Sequence, residues 1–336
     1  MAGGGFRFGY YLGLHAALAA QGRAPDVVLA SCGGALAAAI IQALPDDPSR
    51  RNWLASPEMH RFFRDLQPHA GATFSRALAG MLVRHGNRRP APRLPDLFND
   101  YLFELPATLP QPDGPIPANG PALAFIAGTL LYGEHEVGQP RGDRPLFAET
   151  VLCDTRTAGL LHGMHAPMDD PRWGHGVIAP NLRLVTDMPV IDAARASIAD
   201  MFYFRCHTHG GQHYLGGAID LVPIEIARQL AREVIMEIKA PYDATLVTPA
   251  LRAVLGVEGN QRMRHVMQSL RRETHPGLRT FDTTDMRRAL PDSLLRKRIR
   301  WSKNRLELAA PARLEDYQRL IDAQWRYGYQ RGERLS

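Results

Sequence analysis

Asp26-Val27-Val28-Leu29-Ala30-Ser31-Cys32-Gly33-Gly34-Ala35-Leu36-Ala37-Ala38-Ala39 reads as a short apolar strand, an abrupt turn of small residues and an alanine-rich helix. A strand that passes straight into a helix in this way is the sequence form of a nucleophile elbow, whose tip residue stands on a strained backbone above the sheet. Cys32 occupies the tip. Ala30 and Gly34 flank it because a larger side chain there would collide with the strand or the helix, and Ser31 and Gly33 complete the turn. The helix that follows aims its positive N-terminal end at the same spot. With Ser31 at the tip instead, Leu29 would stand where a glycine or alanine is needed and the helix start would slip by one residue. Cys32 is therefore the preferred nucleophile.

Upstream lies Gly3-Gly4-Gly5-Phe6-Arg7-Phe8-Gly9, followed by apolar residues at helical spacing, Tyr11, Leu14 and Leu18, and a stop at Gly22. Consecutive glycines beside a helix start leave backbone N–H groups free for an anion or a developing oxyanion. A third block, Tyr214-Leu215-Gly216-Gly217-Ala218-Ile219-Asp220-Leu221-Val222-Pro223, carries a Gly-Gly turn with an apolar continuation, and Ala194-Arg195-Ala196-Ser197-Ile198-Ala199 precedes it.

Together these blocks resemble the patatin-like phospholipase family, in which a Gly-Gly-Gly-x-Arg-Gly loop forms the oxyanion hole. There Gly-x-Ser-x-Gly carries the nucleophile and an Asp-Gly-Gly/Ala turn supplies the base of a Ser-Asp dyad. The resemblance implies a three-layer α/β/α fold with a central, mostly parallel sheet, and hydrolysis or transfer of the acyl group of a lipid ester. It makes Gly3, Gly4, Gly5 and Arg7 the oxyanion loop, with Arg7 steadying it. The departures fall on residues that carry chemistry. Ala30 replaces the elbow's first glycine, Cys32 its serine, Leu215 the dyad aspartate, and Phe8 the loop's last glycine. The strand that leads into the loop in the family either lies upstream or is dispensed with.

A cysteine at a helix N-terminus is favoured as thiolate and needs less help from a base than a serine does. Two bases are candidates. His213 lies two residues before Leu215, on the same side of an extended segment; Asp220 would reach back from beyond the Gly216-Gly217 turn. If neither serves, the altered dyad marks a catalytically inactive module that binds lipid or a partner, with Cys32 packing as a small hydrophobe.

At 336 residues, 45% of them hydrophobic, the chain has ample material for a large α/β core. The expected organisation is an α/β domain over 1–240 and a mainly helical, basic extension over 241–336. Within the first, 46–120 is an insertion whose proline-rich runs, Arg88 to Pro95 and Leu109 to Pro117, exclude regular structure, and it is a candidate lid. Leu97 to Phe103 between them reads as a helical turn or two. Leu123 to Tyr132 and Asn181 to Asp187 read as strands, and Ile224 to Lys239 as a helix.

No apolar run is long enough to span a bilayer, and the first residues lack a leader pattern. Three cysteines, Cys32, Cys153 and Cys206, leave one unpaired in any disulfide scheme, so a reducing cytoplasmic setting is expected, with peripheral membrane contact. That contact falls to Arg296, Lys297, Arg298, Arg300 and Trp301, a basic run whose Trp suits headgroup depth. A net charge of +6 would also suit a nucleic acid. An enzyme whose substrate lies in a bilayer fits the membrane surface better, and nucleic acid is the less favoured partner; a solvated helix face with Glu307 and Glu315 is the plain alternative. His207, His209 and His213, and His162, His165 and His175, have spacings a metal could use. They lack an evident further ligand beside them, so neither metal nor cofactor is expected.

Overall fold

The apolar run Val27–Ala30, which opens with two β-branched valines, forms β1, and the alanine-rich run after the turn forms α2 (Gly33–Ala43), with α1 (Tyr10–Ala20) before them. The computed structural model describes residues 1–3, 5–86, 89–117, 119–245, 247–272 and 277–335. After α2 come α3 (Asp47–Leu54), α4 (Pro57–Arg64) and α5 (Phe74–Gly86), then β2 (Ala122–Leu130), β3 (Phe147–Cys153) and α6 (Thr155–Leu161). β4 (Arg183–Val185), α7 (Val190–Ser197), the hairpin of β5 (His207–His209) with β6 (Gln212–Leu215), and α8 (Ile224–Leu230) follow. The remainder comprises β7 (Val234–Ile238), α9 (Val247–Ala250), α10 (Gly259–Arg272), β8 (Leu278–Asp282), α11 (Met286–Ala289), β9 (Arg296–Arg300), β10 (Arg305–Ala309) and α12 (Leu314–Glu333).

The central sheet is flanked by helices on both faces, and β2 is its axis. Leu123, Phe125 and Ala127 face one core with α1, α2 and α7, whereas Ala124, Ile126 and Leu130 face a second core that includes Leu161 of α6 and Ile226 of α8. That alternation is the period-2 geometry of a strand covered on both sides, which gives the expected three layers. β1 runs parallel to β2 and β4 parallel to β3, while β3 and β6 run antiparallel to β2, and β5 antiparallel to β6. β1 and β6 share one edge of β2, end to end: β1 pairs with Ala122 to Phe125, and β6 with Gly128 and Thr129. Since β1 runs with β2 and β6 against it, their C-terminal ends converge beside Ile126. Residues ahead of the Gly-rich loop reach the same place, with Ala2 in a parallel bridge to Ser31.

The segment after residue 240 packs tightly on the rest. α12 crosses α1 at glycines: a Cβ on Gly13 would lie 1.9 Å from the Trp325 carbonyl oxygen, and one on Gly328 would lie 1.8 Å from that of Tyr10. Glu237 on β7 is buried and accepts hydrogen bonds from the hydroxyls of Tyr10 (2.7 Å), Tyr11 (2.5 Å) and Thr283 (2.5 Å) and from Lys239 (2.8 Å).

Local readings of the sequence differ from the fold in three places. The Ile224 to Lys239 helix stops at Leu230, and Val234–Ile238 pairs as a parallel strand with β8, some 40 residues away. Leu97 to Phe103 forms no helix; Tyr101 bridges Phe202 and Phe103 bridges Pro68, so tertiary pairing takes up its backbone. The basic run is no helix face either. Arg296–Arg300 is a fully exposed strand paired with β10.

Candidate active site

Cys32 sits at the tip of the elbow with φ 50° and ψ −127°, a region that costs an L-residue energy and persists only when its surroundings over-determine it. The surroundings here are specific. The Cys32 N–H donates to Ser197 Oγ at 3.1 Å, and Ser197 Oγ donates to the Ile126 carbonyl at 2.7 Å, tying the elbow to α7 and β2. Gly33 opens α2 against the Gly-rich loop, and a Cβ there would lie 2.6 Å from the Gly5 carbonyl oxygen. As the first residue of a helix, its own N–H has no partner in a preceding turn. Gly34 is equally confined, by the Met1 carbonyl oxygen at 2.6 Å from a Cβ.

The thiol of Cys32 faces a carboxylate. Its Sγ lies 3.1 Å from Asp200 Oδ1, and Asp200 also accepts the backbone N–H of Ala218 just past the Gly-Gly turn. Gly216 and Gly217 are what allow this approach. A Cβ on Gly216 would lie 2.3 Å from Asp200 Oδ1, and one on Gly217 would lie 2.8 Å from Ser31 Cβ. Burial pushes the Asp200 carboxyl up to about 6, with the hydrogen bonds from Cys32 and Ala218 opposing it. Burial, and then the Asp200 charge, push the Cys32 thiol well above its ordinary value. The thiolate expected from the helix N-terminus is thus outweighed, and the pair holds a neutral S–H donating to a carboxylate.

The other site residues lie as follows. His213 Nδ1 is 2.9 Å from Thr208 Oγ1, and its ring meets Phe98 edge-on; Leu215 is buried in the same second core. The two do share a face of β6, as the spacing required, but that face looks away from the elbow. Asp220 is buried and its carboxylate is held by Arg262 Nη2 at 2.8 Å and the Val222 N–H at 2.9 Å, so its charge is spent on the turn itself. Neither residue makes the hydrogen bond to Cys32 that the sequence assigned them; Asp200 makes it. Ala30 is buried beneath the elbow, and Ser31 Oγ donates to the Asp220 carbonyl at 3.2 Å.

In the Gly-rich loop, Gly3 has φ 83° and Gly5 φ 53°, both in the region that favours glycine. The Gly3 N–H is engaged by the Ser31 carbonyl at 3.0 Å, and Gly4 lies outside the described residues. Arg7 donates to the Leu290 and Pro291 carbonyls at 2.8 and 3.2 Å, anchoring the loop to the C-terminal segment.

Asp200 and the loop open onto a cleft of about 470 Å³. Its walls are mainly apolar, with Phe8 from the loop, Phe63 of α4 and Leu66 just after it, Phe204, and Met263 and Met286 from the C-terminal segment. Lys239 and Tyr242 add polar groups. An apolar cleft with a few convergent polar groups is the usual form of a small-molecule site. Among the described residues, no three His, Cys, Asp or Glu side chains are grouped so as to hold a metal ion.

Asp200 is the residue that sequence reading passed over. The signal was adjacent, since the flagged segment Ala194 to Ala199 ends one residue short of it. In comparison with known proteins, the family model described as patatin-like phospholipase matches residues 1–228. No curated protein matches the chain.

Proposed function

The chain belongs to the patatin-like phospholipase family, and from that membership we propose a lipid acyl hydrolase or transferase that works through a Cys32–Asp200 dyad. The observation that carries the proposal is the 3.1 Å contact between the thiol and the carboxylate at a strained elbow beside an apolar cleft. As Cys32 Sγ attacks the ester carbonyl carbon, its proton passes to Asp200. The oxyanion is held by the Gly33 N–H and by loop amides around Gly5. Collapse expels the alcohol, which takes the proton from Asp200 and leaves a thioester on Cys32. Water, or an acceptor alcohol, then attacks the thioester, gives its proton to Asp200, and releases the acid or new ester as the proton returns to sulfur.

Moving the aspartate from the Gly-Gly turn to position 200 leaves the dyad's geometry reachable from the loop that follows α7, with Leu215 free to pack in the core. The insertion, whose α4 lines the cleft, serves as a cover over the acyl chain. The basic run Arg296, Lys297, Arg298, Arg300 with Trp301 offers peripheral contact with an anionic membrane. No helix among the described residues is long and apolar enough to cross one.

A second reading, a lipid-binding module without turnover, draws on the burial of Cys32, which is 5% exposed. Intact-mass spectrometry after exposure to a p-nitrophenyl acyl ester separates the two. An acyl adduct present in the parent and absent in Cys32→Ala supports the dyad. No adduct and no release above the variant, in a folded sample, leaves the binding module.

A further inference from the structure

α5 is a helix of 13 residues with no buried side chain, and three of its large apolar residues are exposed: Leu78 40%, Leu82 62% and Val83 73%. A helix so placed has given up the burial that ordinarily holds a helix in a globular protein. It is nonetheless tied down: Arg84 near its C-terminal end donates to Asp100 at 3.1 Å and lies 3.8 Å from the Phe202 ring centroid, and its N-terminal end is held too. The Phe74 N–H donates to the Asn304 carbonyl at 3.0 Å, Asn304 Nδ2 donates to Ser75 Oγ at 2.8 Å, and Thr73 bridges Arg305. These bonds join α5 to the turn of the basic hairpin. At the same junction the Phe74 ring meets Trp301 edge-on at 5.1 Å, and Trp301 is 71% exposed.

We propose that α5, Trp301 and the β9–β10 hairpin form one interfacial surface that docks on an anionic lipid bilayer and presents the cleft to it. Leu82, Val83 and Trp301 enter the headgroup region, and the hairpin cations lie over lipid phosphates. The charge is not consumed internally: among the described residues Arg298, Lys303 and Arg305 meet no carboxylate at ion-pair distance, whereas Arg296 and Arg300 pair with Asp292 and Glu307. Aromatic and aliphatic groups beside clustered cations are the composition that anionic bilayers retain. The surface also borders the cleft. Lys297 lies 4.4 Å from the ring centroid of Tyr203, and Tyr203 lines the cleft; Val247, exposed beside α5, lines it too. An acyl chain leaving the bilayer would therefore pass from this surface into the cleft. The inference rests on the acyl-hydrolase reading only for that last step.

Co-sedimentation with phosphatidylserine-rich and with pure phosphatidylcholine vesicles tests the docking apart from the chemistry, using full-length Cys32→Ala protein so that no lipid is consumed. The parent should sediment with the anionic vesicles only. Leu82→Glu/Val83→Glu and, separately, Arg298→Glu/Lys303→Glu should each weaken binding on the order of tenfold or more, the second with loss of salt sensitivity. Equal binding to both vesicle types, or unchanged binding by the α5 variant, would overturn the proposal. Binding to soluble heparin that is as strong as to vesicles and indifferent to α5 would also overturn it, pointing to an acidic protein or nucleic acid. In the Cys32-containing background, both variants should still form the soluble-ester adduct, which certifies their fold. Should no adduct form in any background, the hydrolase reading fails while the vesicle result stands.

Discussion

Cys32 and Asp200 are 168 residues apart in the chain and 3.1 Å apart at Sγ and Oδ1. They meet because β1 and β6 share one edge of β2 and end face to face beside Ile126, so the elbow at the end of one strand is delivered to the loop that docks at the end of the other. The Ser197 hydroxyl then locks the arrangement by accepting the Cys32 N–H.

Removing either partner tests the proposed roles of nucleophile and base. Cys32→Ala is expected to abolish acyl-adduct formation. Asp200→Asn, which keeps the shape but cannot take a proton, should slow ester turnover roughly 10²- to 10³-fold, in line with the usual contribution of a general base. Stopped assays on a p-nitrophenyl ester read this, and an unchanged rate in Asp200→Asn would exclude Asp200 as the base.

The pH profile should report the same carboxyl. With Asp200 raised from 3.8 to about 6 by burial, turnover should climb as pH rises through about 6, where the carboxylate forms. Stability runs the opposite way. A carboxyl whose folded value is raised contributes most when protonated, below about 4, and that contribution is lost as pH rises through about 6. The loss is at most about 3 kcal/mol, since Asp200 opens on the cleft. Denaturation at pH 5 and 8 should therefore find Asp200→Asn at least as stable as the parent at the higher pH, with its advantage shrinking at the lower.

Gly216→Ala places a methyl group 2.3 Å from Asp200 Oδ1. Overpacking of this kind costs about 1–3 kcal/mol. Here the carboxylate must also move, so turnover should fall far more than the melting temperature does. A variant with parental turnover would show that the position of Asp200 is not what the glycine protects.

Glu237 gathers four donors around one buried carboxylate. Burial works to raise its carboxyl, but Lys239, Thr283 and Tyr11 outweigh burial and hold it below its ordinary 4.5. Glu237→Gln leaves Lys239 without its charge partner and faces three hydroxyl donors with an amide, and should cost about 3 kcal/mol at neutral pH. Because the folded value is depressed, that stability is present above 4.5 and fades as pH falls below it. Urea titrations of parent and variant should converge at acid pH, and parallel curves at all pH values would contradict the assignment.

The strand–turn–helix at Cys32, the glycines at 33, 34, 216 and 217, and the strand character of β2 were legible along the chain, because each is dictated by neighbours a few residues away: the elbow admits only small side chains, and a doubly covered strand is apolar on both faces. The family resemblance rested on those same local constraints. The carboxylate that faces Cys32 was not legible. His213 and Asp220 were judged by their distance from Leu215 along the chain, but a strand's two faces point to different cores, and which core holds the elbow is set by strand pairing. The basic run likewise carried its composition in the sequence and its hairpin geometry only in the fold, where β10 and the N-terminus of α5 take up its backbone. Local sterics determine which residues can form an elbow; only the long-range register of β1, β2 and β6 decides which carboxylate stands before it.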